Sequence, residues 1–188
     1  MKVVVLGAYR VGKSSLVSRF TSRNTIPDPD PTIGVSCSTT SIHVFEQYHR
    51  IKIMDLSGND YYERLYRQYV QNAHVAIVVY DITNYSTFKV ALEKIKYVQN
   101  IHSTEFPIML VGNKIDRIAG RRVKTDTALG TVKSRGNIFF IEVSALRGIN
   151  TTEALKILSS EGARVSTELV YTQNDFQNND VRSGCRIV

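Results

Sequence analysis

Long apolar runs are missing from this sequence, and cysteines are few: two in 188 residues, Cys37 and Cys185. A pair so widely separated makes no disulfide framework and has no metal-ligand spacing, which fits a reducing compartment. No stretch approaches the roughly 20 apolar residues of a membrane span, and the opening MKVVVLG holds too few for a signal peptide. The expected setting is therefore cytoplasmic. Four prolines and eleven glycines are no excess of the kind that marks disorder. The formal net charge of +7 would admit nucleic acid, an acidic membrane surface or a polyphosphate as partner. The basic residues are scattered, however, with no long run of like charge, so they read as a solvated surface and no nucleic-acid partner is expected. What remains is a chain of one-domain length, 43% hydrophobic, long enough to bury a sizeable core.

Within it, short β-branched or aromatic runs alternate with segments of helical period. KVVVLG (2–7), AIVVYDI (76–82), PIMLVGNK (107–114) and IFFIEVSA (138–145) read as strands buried on both faces of a parallel sheet. Residues 35–46 and 50–56 form a strand pair joined through the polar EQYHR. Helices are predicted at 13–22, 61–72, 86–101, 125–135 and 151–165. In the third, Phe88, Ala91, Leu92, Ile95 and Val98 recur at three- and four-residue steps, with Ser86 as N-cap. The fold class is α/β: a single doubly wound domain, residues 1–165, with a mostly parallel six-stranded sheet, helices on both faces and ligands at the carboxyl ends of the strands. SRNTIPDPDPTIG (22–34) holds three of the four prolines and reads as a loop. From Ser166 to Val188 the chain is Asn/Gln/Ser/Asp-rich and reads as a flexible tail.

GAYRVGKSS, residues 7–15, follows the first strand and matches G-x-x-x-x-G-K-[ST] in the strand–loop–helix context that motif requires. Gly7 and Gly12 let the backbone N–H groups of the loop, from Tyr9, Arg10 and Val11 to Ser15, converge on phosphate oxygens. The helix starting near Lys13 aims its positive end at them, Lys13 neutralises β/γ charge, and the Ser14 hydroxyl ligates Mg²⁺. GNKID (112–116) closes another strand, and there Asp116 can accept the two N–H donors of guanine. Adenine has an acceptor at the corresponding ring nitrogen, so it would leave buried groups unpaired at about 1 to 3 kcal/mol each. Asn113 can tie this loop to the phosphate loop, and the stem of Lys114 can lie along the base. SAL, Ser144 to Leu146, ends the last strand and presents the Ala145 N–H to guanine O6. In DLSGND (55–60), Asp55 would hold Mg²⁺ through water and the Gly58 N–H would meet the γ-phosphate. Thr32, in DPTIG, is the second protein ligand to Mg²⁺, reached only when a γ-phosphate draws its loop inward.

With these motifs in this order, the chain resembles a Ras-superfamily small GTPase over about residues 2–165. TIGV (32–35) and NAHVAIVVYDIT (72–83) are most similar to the Rab branch, and the short span from Asp116 to Ser144 leaves no room for the extra helix of Rho proteins. The resemblance implies a monomeric GTP hydrolase with GTP/GDP and Mg²⁺ as cofactors and Lys13, Thr32, Gly58 and Asn59 in the catalytic positions. It also implies a vesicle-traffic switch whose effectors, exchange factor and GTPase-activating protein read residues 25–34 and 57–70.

Three positions depart from the family. Asn59 stands where a glutamine orients the attacking water and is one methylene shorter, about 1.5 Å of reach. Tyr9 stands where Ras has glycine and crowds the water and any incoming arginine. Both changes predict slow hydrolysis with guanine binding intact. Thr25 replaces the aromatic that packs beside the base, which predicts faster exchange unless Ile26 covers it. Arg10 reads as a solvent-facing loop arginine, the alternative being an arginine supplied in cis to the γ-phosphate. Pro27, Pro29 and Pro31 stiffen the first switch. In the closing CRIV, Cys185 is in the position of a prenylation cysteine, though Arg186 is not aliphatic. One prenyl chain anchors weakly, and Arg182 and Arg186 are outweighed by Glu168, Asp175 and Asp180. The association with the cytoplasmic face of membranes is thus expected to be reversible. The competing reading is a constitutively GTP-bound binding module with negligible turnover; a P-loop kinase is disfavoured by NKID.

Overall fold

Side-chain alternation along the strands builds two cores, one on each face of a sheet. The computed structural model describes residues 1–22, 30–44 and 47–160. Its elements are β1 (Lys2–Gly7), α1 (Lys13–Ser22), β2 (Val35–Val44), β3 (Gln47–Leu56), α2 (Glu63–Gln71), β4 (Val75–Asp81), α3 (Tyr85–Ile101), β5 (Ile108–Asn113), α4 (Thr125–Lys133) and β6 (Ile138–Val143). A final helix, α5, occupies 151–160. The sheet order is β2-β3-β1-β4-β5-β6. Every pair is parallel except β2–β3, as the alternation of apolar runs and helices requires.

Val4, Leu6, Val78, Tyr80 and Leu110 point to the side covered by α2, α3 and α4, where Tyr66, Phe88, Ile95 and Val132 meet them. Val3, Val5, Ile77, Val79 and Val111 point to the other side, against Leu16 and Phe20 of α1 and Ala154 and Leu158 of α5. β4 and β5 are buried along their whole length, which is why their sequences run apolar without alternating.

Several expected boundaries move, each for a local reason. β5 starts after Pro107, which has no N–H to donate to the ladder, and stops at Asn113, since Lys114 turns into the left-handed region at φ 73°. β6 ends at Val143 because the Ser144 N–H bonds to the Ile149 carbonyl and reverses the chain. α4 ends at Lys133, two residues early. The segment expected as one helix from 61 opens with a 3₁₀ turn, Asp60–Tyr62, before α2. The β2–β3 connection is shorter than the expected EQYHR: Gln47 pairs with Val44, and Tyr48, His49 and Arg50 already lie in β3. The cap of α3 is Asn84, whose side chain accepts the Ser86 N–H; Ser86 is not the cap but the capped residue. The expectations for Thr25, Ile26, Pro27, Pro29, the helix beyond 160, the tail and Cys185 fall outside the described residues.

Candidate functional site

The carboxyl ends of β1, β3, β5 and β6 face one another across a groove of about 220 Å³, lined by the phosphate loop, by Thr32 and Gly58, and by both expected base loops. Backbone geometry explains the glycines. Gly7 sits at φ 144°, where a side chain would run into the Val79 carbonyl, and Gly12 at φ 93°, where one would displace the Asn113 amide. Gly58 is fixed by space: a Cβ there would stand 2.6 Å from both the Lys13 ammonium and the Tyr9 backbone N. This close approach brings Ser57 and Gly58, which follow β3, onto the Gly7–Ser15 loop.

Lys13 donates to the carbonyls of Gly7 and Ala8 at 3.1 and 2.9 Å. Burial lowers its pKa to about 8, with the Asp55 charge opposing, because removal from water disfavours the charged form. Ser14 Oγ donates to Asp55 Oδ2 at 2.5 Å and lies 2.9 Å from Thr32 Oγ1, which is itself 3.4 Å from Asp55 Oδ2. Thr32, expected to arrive only with a γ-phosphate, is thus held in place by the Ser14 hydroxyl. Burial raises the Asp55 carboxyl above its ordinary value, against the pull of Ser14 and Lys13. The other oxygen, Asp55 Oδ1, is buried with no hydrogen-bond partner. A buried, orphaned carboxylate oxygen beside two hydroxyls is the hard oxygen set that suits Mg²⁺. Ser14, Thr32 and Asp55 could therefore hold that ion, which would supply charge neutralisation at a polyphosphate.

At the other end, Asn113 Nδ2 donates to the Val11 carbonyl at 2.9 Å. Its Oδ1 accepts the Ala145 N–H at 3.0 Å. The Ala145 amide, buried and needing an acceptor, is paired with Asn113 at the wall of the groove that Ala145 lines. Asn113 joins three loops. Ser144 Oγ donates to Asp116 Oδ1 and so orients that carboxylate. Lys114 spans from its loop to the Arg10 carbonyl at 2.8 Å and pairs with Asp81 at 2.8 Å.

Not every expected residue lines the groove. Gly7, Val11, Asp55 and Ser144 lie beneath it as supports, Val11 and Ser144 fully buried. Asn59 opens onto an adjoining groove shared with Tyr9, Thr32, Gly58 and Tyr62. Its side chain is engaged: Asn59 Oδ1 accepts the Tyr61 N–H at 3.1 Å, starting the 3₁₀ turn. Tyr9 is 48% exposed at the rim, and the Arg10 guanidinium lies 5.4 Å from the centre of its ring. Arg10 is exposed, as a solvent-facing loop arginine should be. Sequence reasoning missed Ser57, Asp81 and Arg19. Only Asp81, ending a buried strand as a lone charge, carried a readable signal.

Comparison with known proteins places this geometry. The model of the Ras family matches residues 2–163. Among similar proteins, Ras-related protein RABA1g of Arabidopsis thaliana is 37% identical over 167 residues, covering 89% of this chain and 76% of that one. RABA2a of the same plant is 32% identical over 184 residues, covering 97% and 84%. Rab11B of Nicotiana tabacum is 36% identical over 160 residues, covering 85% and 73%.

Proposed function

The chain belongs to the Ras family of small GTPases, in its Rab branch, and from that premise we propose that it is a guanine-nucleotide switch in membrane traffic whose GTP hydrolysis is slow. Phosphates are assigned to the loop from Gly7 to Ser15, with Lys13 as counter-charge. Mg²⁺ is assigned to Ser14, Thr32 and Asp55, and the base to Lys114, Asp116 and Leu146. GTP orders residues 25–34 and 57–70, the surface read by effectors, exchange factor and GTPase-activating protein. Residues 166–188 serve as a tail that returns the domain to a membrane surface through a lipid on Cys185.

One observation carries the slow-hydrolysis reading. Asn59 and Tyr9 share the groove beside Thr32 and Gly58, and the Asn59 amide oxygen is spent on the Tyr61 N–H. A side chain one methylene short, and bonded within its own loop, is poorly placed to orient a water. Tyr9 fills the approach an arginine would use. Single-turnover hydrolysis of GTP decides the matter: Asn59→Gln combined with Tyr9→Gly should raise the rate at least tenfold, and Asn59→Gln alone should raise it less. Wild-type turnover at the rate of a glutamine-bearing relative sinks the proposal. Turnover that stays negligible in the double variant favours the second reading, a GTP-bound binding module.

A further inference from the structure

Arg19 lies in the last turn of α1, the helix whose first turn carries Lys13 and Ser14. Its guanidinium leaves the helix sideways and meets the loop after β6. Nε donates to the Ala145 carbonyl at 2.8 Å and Nη2 to the Leu146 carbonyl at 2.5 Å. Ala145 and Leu146 are the residues of that loop that line the groove. On the same loop, the Gly148 backbone lies against the guanidinium, a Cβ built there standing 3.6 Å from Arg19 Cζ. The loop closes on itself through Gly148 N–H to the Ser144 carbonyl at 2.8 Å and is tied to the end of β5 through Asn113; Arg19 fastens it to α1.

We propose that Arg19 is a positioning residue for base retention: it fixes the Ala145–Leu146 wall to α1 and so ties the base end of the groove to the helix that holds the phosphates. This rests on the guanine-nucleotide reading. The chemistry favours Arg specifically. Two donors on one edge of a rigid planar fork meet two successive carbonyls, an arrangement that a single ammonium on a flexible stem cannot reproduce. The plainer account is that a cation in the last turn offsets the helix dipole. Lysine would do that equally well.

Arg19→Lys keeps charge and helix and removes the fork. Dissociation of a fluorescent GDP followed by stopped flow should accelerate about tenfold in Arg19→Lys and at least as much in Arg19→Gln, which keeps an amide NH₂ but neither the charge nor the fork. Affinity for inorganic tripolyphosphate with Mg²⁺, measured by calorimetry, should change less than twofold, because that ligand uses the Gly7–Ser15 loop, Thr32 and Asp55 and not the Ala145–Leu146 wall. Equal losses for both ligands would mean that Arg19 merely supports the helix and would overturn the proposal, as would an unchanged GDP rate in Arg19→Lys. The wild-type chain provides the separate check. If it binds GDP no more tightly than ADP, the nucleotide reading itself fails; if it is guanine-selective while Arg19→Lys behaves as wild type, only the positioning role fails.

Discussion

Asp81 and Lys114 place one ion pair, at 2.8 Å, at the end of the groove that Lys114 and Asp116 line. Burial alone would raise the Asp81 carboxyl. The hydrogen bonds from Lys114 and Thr83 outweigh it and hold the group below its ordinary value. A carboxylate whose folded-state pKa is depressed stabilises the fold above its unfolded value, near 4, and loses that contribution as pH falls through the folded value. Asp81→Asn should therefore lower the melting temperature at pH 7 by a few degrees, about 1 kcal/mol for a partly exposed pair. The gap to wild type should narrow as the pH falls below the unfolded value near 4 and through the depressed folded value. A gap that stays constant over this range would show that Asp81 acts through packing and not charge. At this scale the residues gathered at the groove were legible, since Lys13, Ser14, Asn113 and Asp116 sit in motifs of fixed spacing at strand ends. Their supports were not. Arg19 reaches Ala145 across 126 positions, and no local pattern records such a contact. The bond from the Ala145 amide to Asn113 is likewise silent in sequence, which reveals that an N–H exists but not which acceptor pairs with it.

Elements were readable where one physical rule acts alone and shifted where two compete. The strands came through because total burial forces uninterrupted apolar runs, and β4 is buried at all seven positions. The start of α3 offered two residues able to cap, and the backbone decided between them. Asn84 is extended at φ −135° and Ser86 is already helical, so Asn84 takes the capping role. Its Oδ1 accepts both the Ser86 N–H at 3.1 Å and the Ser86 hydroxyl at 2.8 Å. Thr87 closes the same corner, its hydroxyl donating to the Asn84 carbonyl at 2.7 Å and accepting the Asp81 N–H at 3.0 Å. Losing an N-cap costs about 1 kcal/mol, some 2 to 4 °C for a chain of this size. Thermal unfolding should show Asn84→Ala lowered by that amount and Ser86→Ala by less than half of it. The reverse order would restore Ser86 as the cap. The β2–β3 turn departs from expectation for a related reason: Tyr48 and Arg50 are exposed, and an edge hairpin has a solvent-facing side on which polar residues are tolerated.

For the whole molecule, the groove is the place where the two cores depend on each other. α1 and α5 pack on one face of the sheet, α2, α3 and α4 on the other, and the loops at the strand ends meet through few direct links. Asn113 joins the Val11 carbonyl to the Ala145 amide, Lys114 joins Arg10 to Asp81, and Ser14 joins Thr32 to Asp55. The set contains a buried ammonium with its pKa lowered to about 8 and an orphaned carboxylate oxygen, both of which a magnesium–polyphosphate pair would satisfy. A ligand that binds only when these strand ends are assembled stabilises the fold by RT ln(1 + [L]/Kd), about 2.7 kcal/mol at a hundredfold excess over Kd. For a chain of this size that is roughly 5 to 10 °C. Melting in the presence of GDP and Mg²⁺ should rise by that amount, ATP at the same concentration should raise it little, and chelating the metal should remove part of the gain. Equal shifts with ATP would refute the guanine assignment of Asp116, and a gain untouched by chelation would refute the metal assignment of Ser14, Thr32 and Asp55. Because the phosphate and base ends contribute through different links, Asp116→Asn should erase the difference between GDP and ATP while leaving the effect of chelation in place.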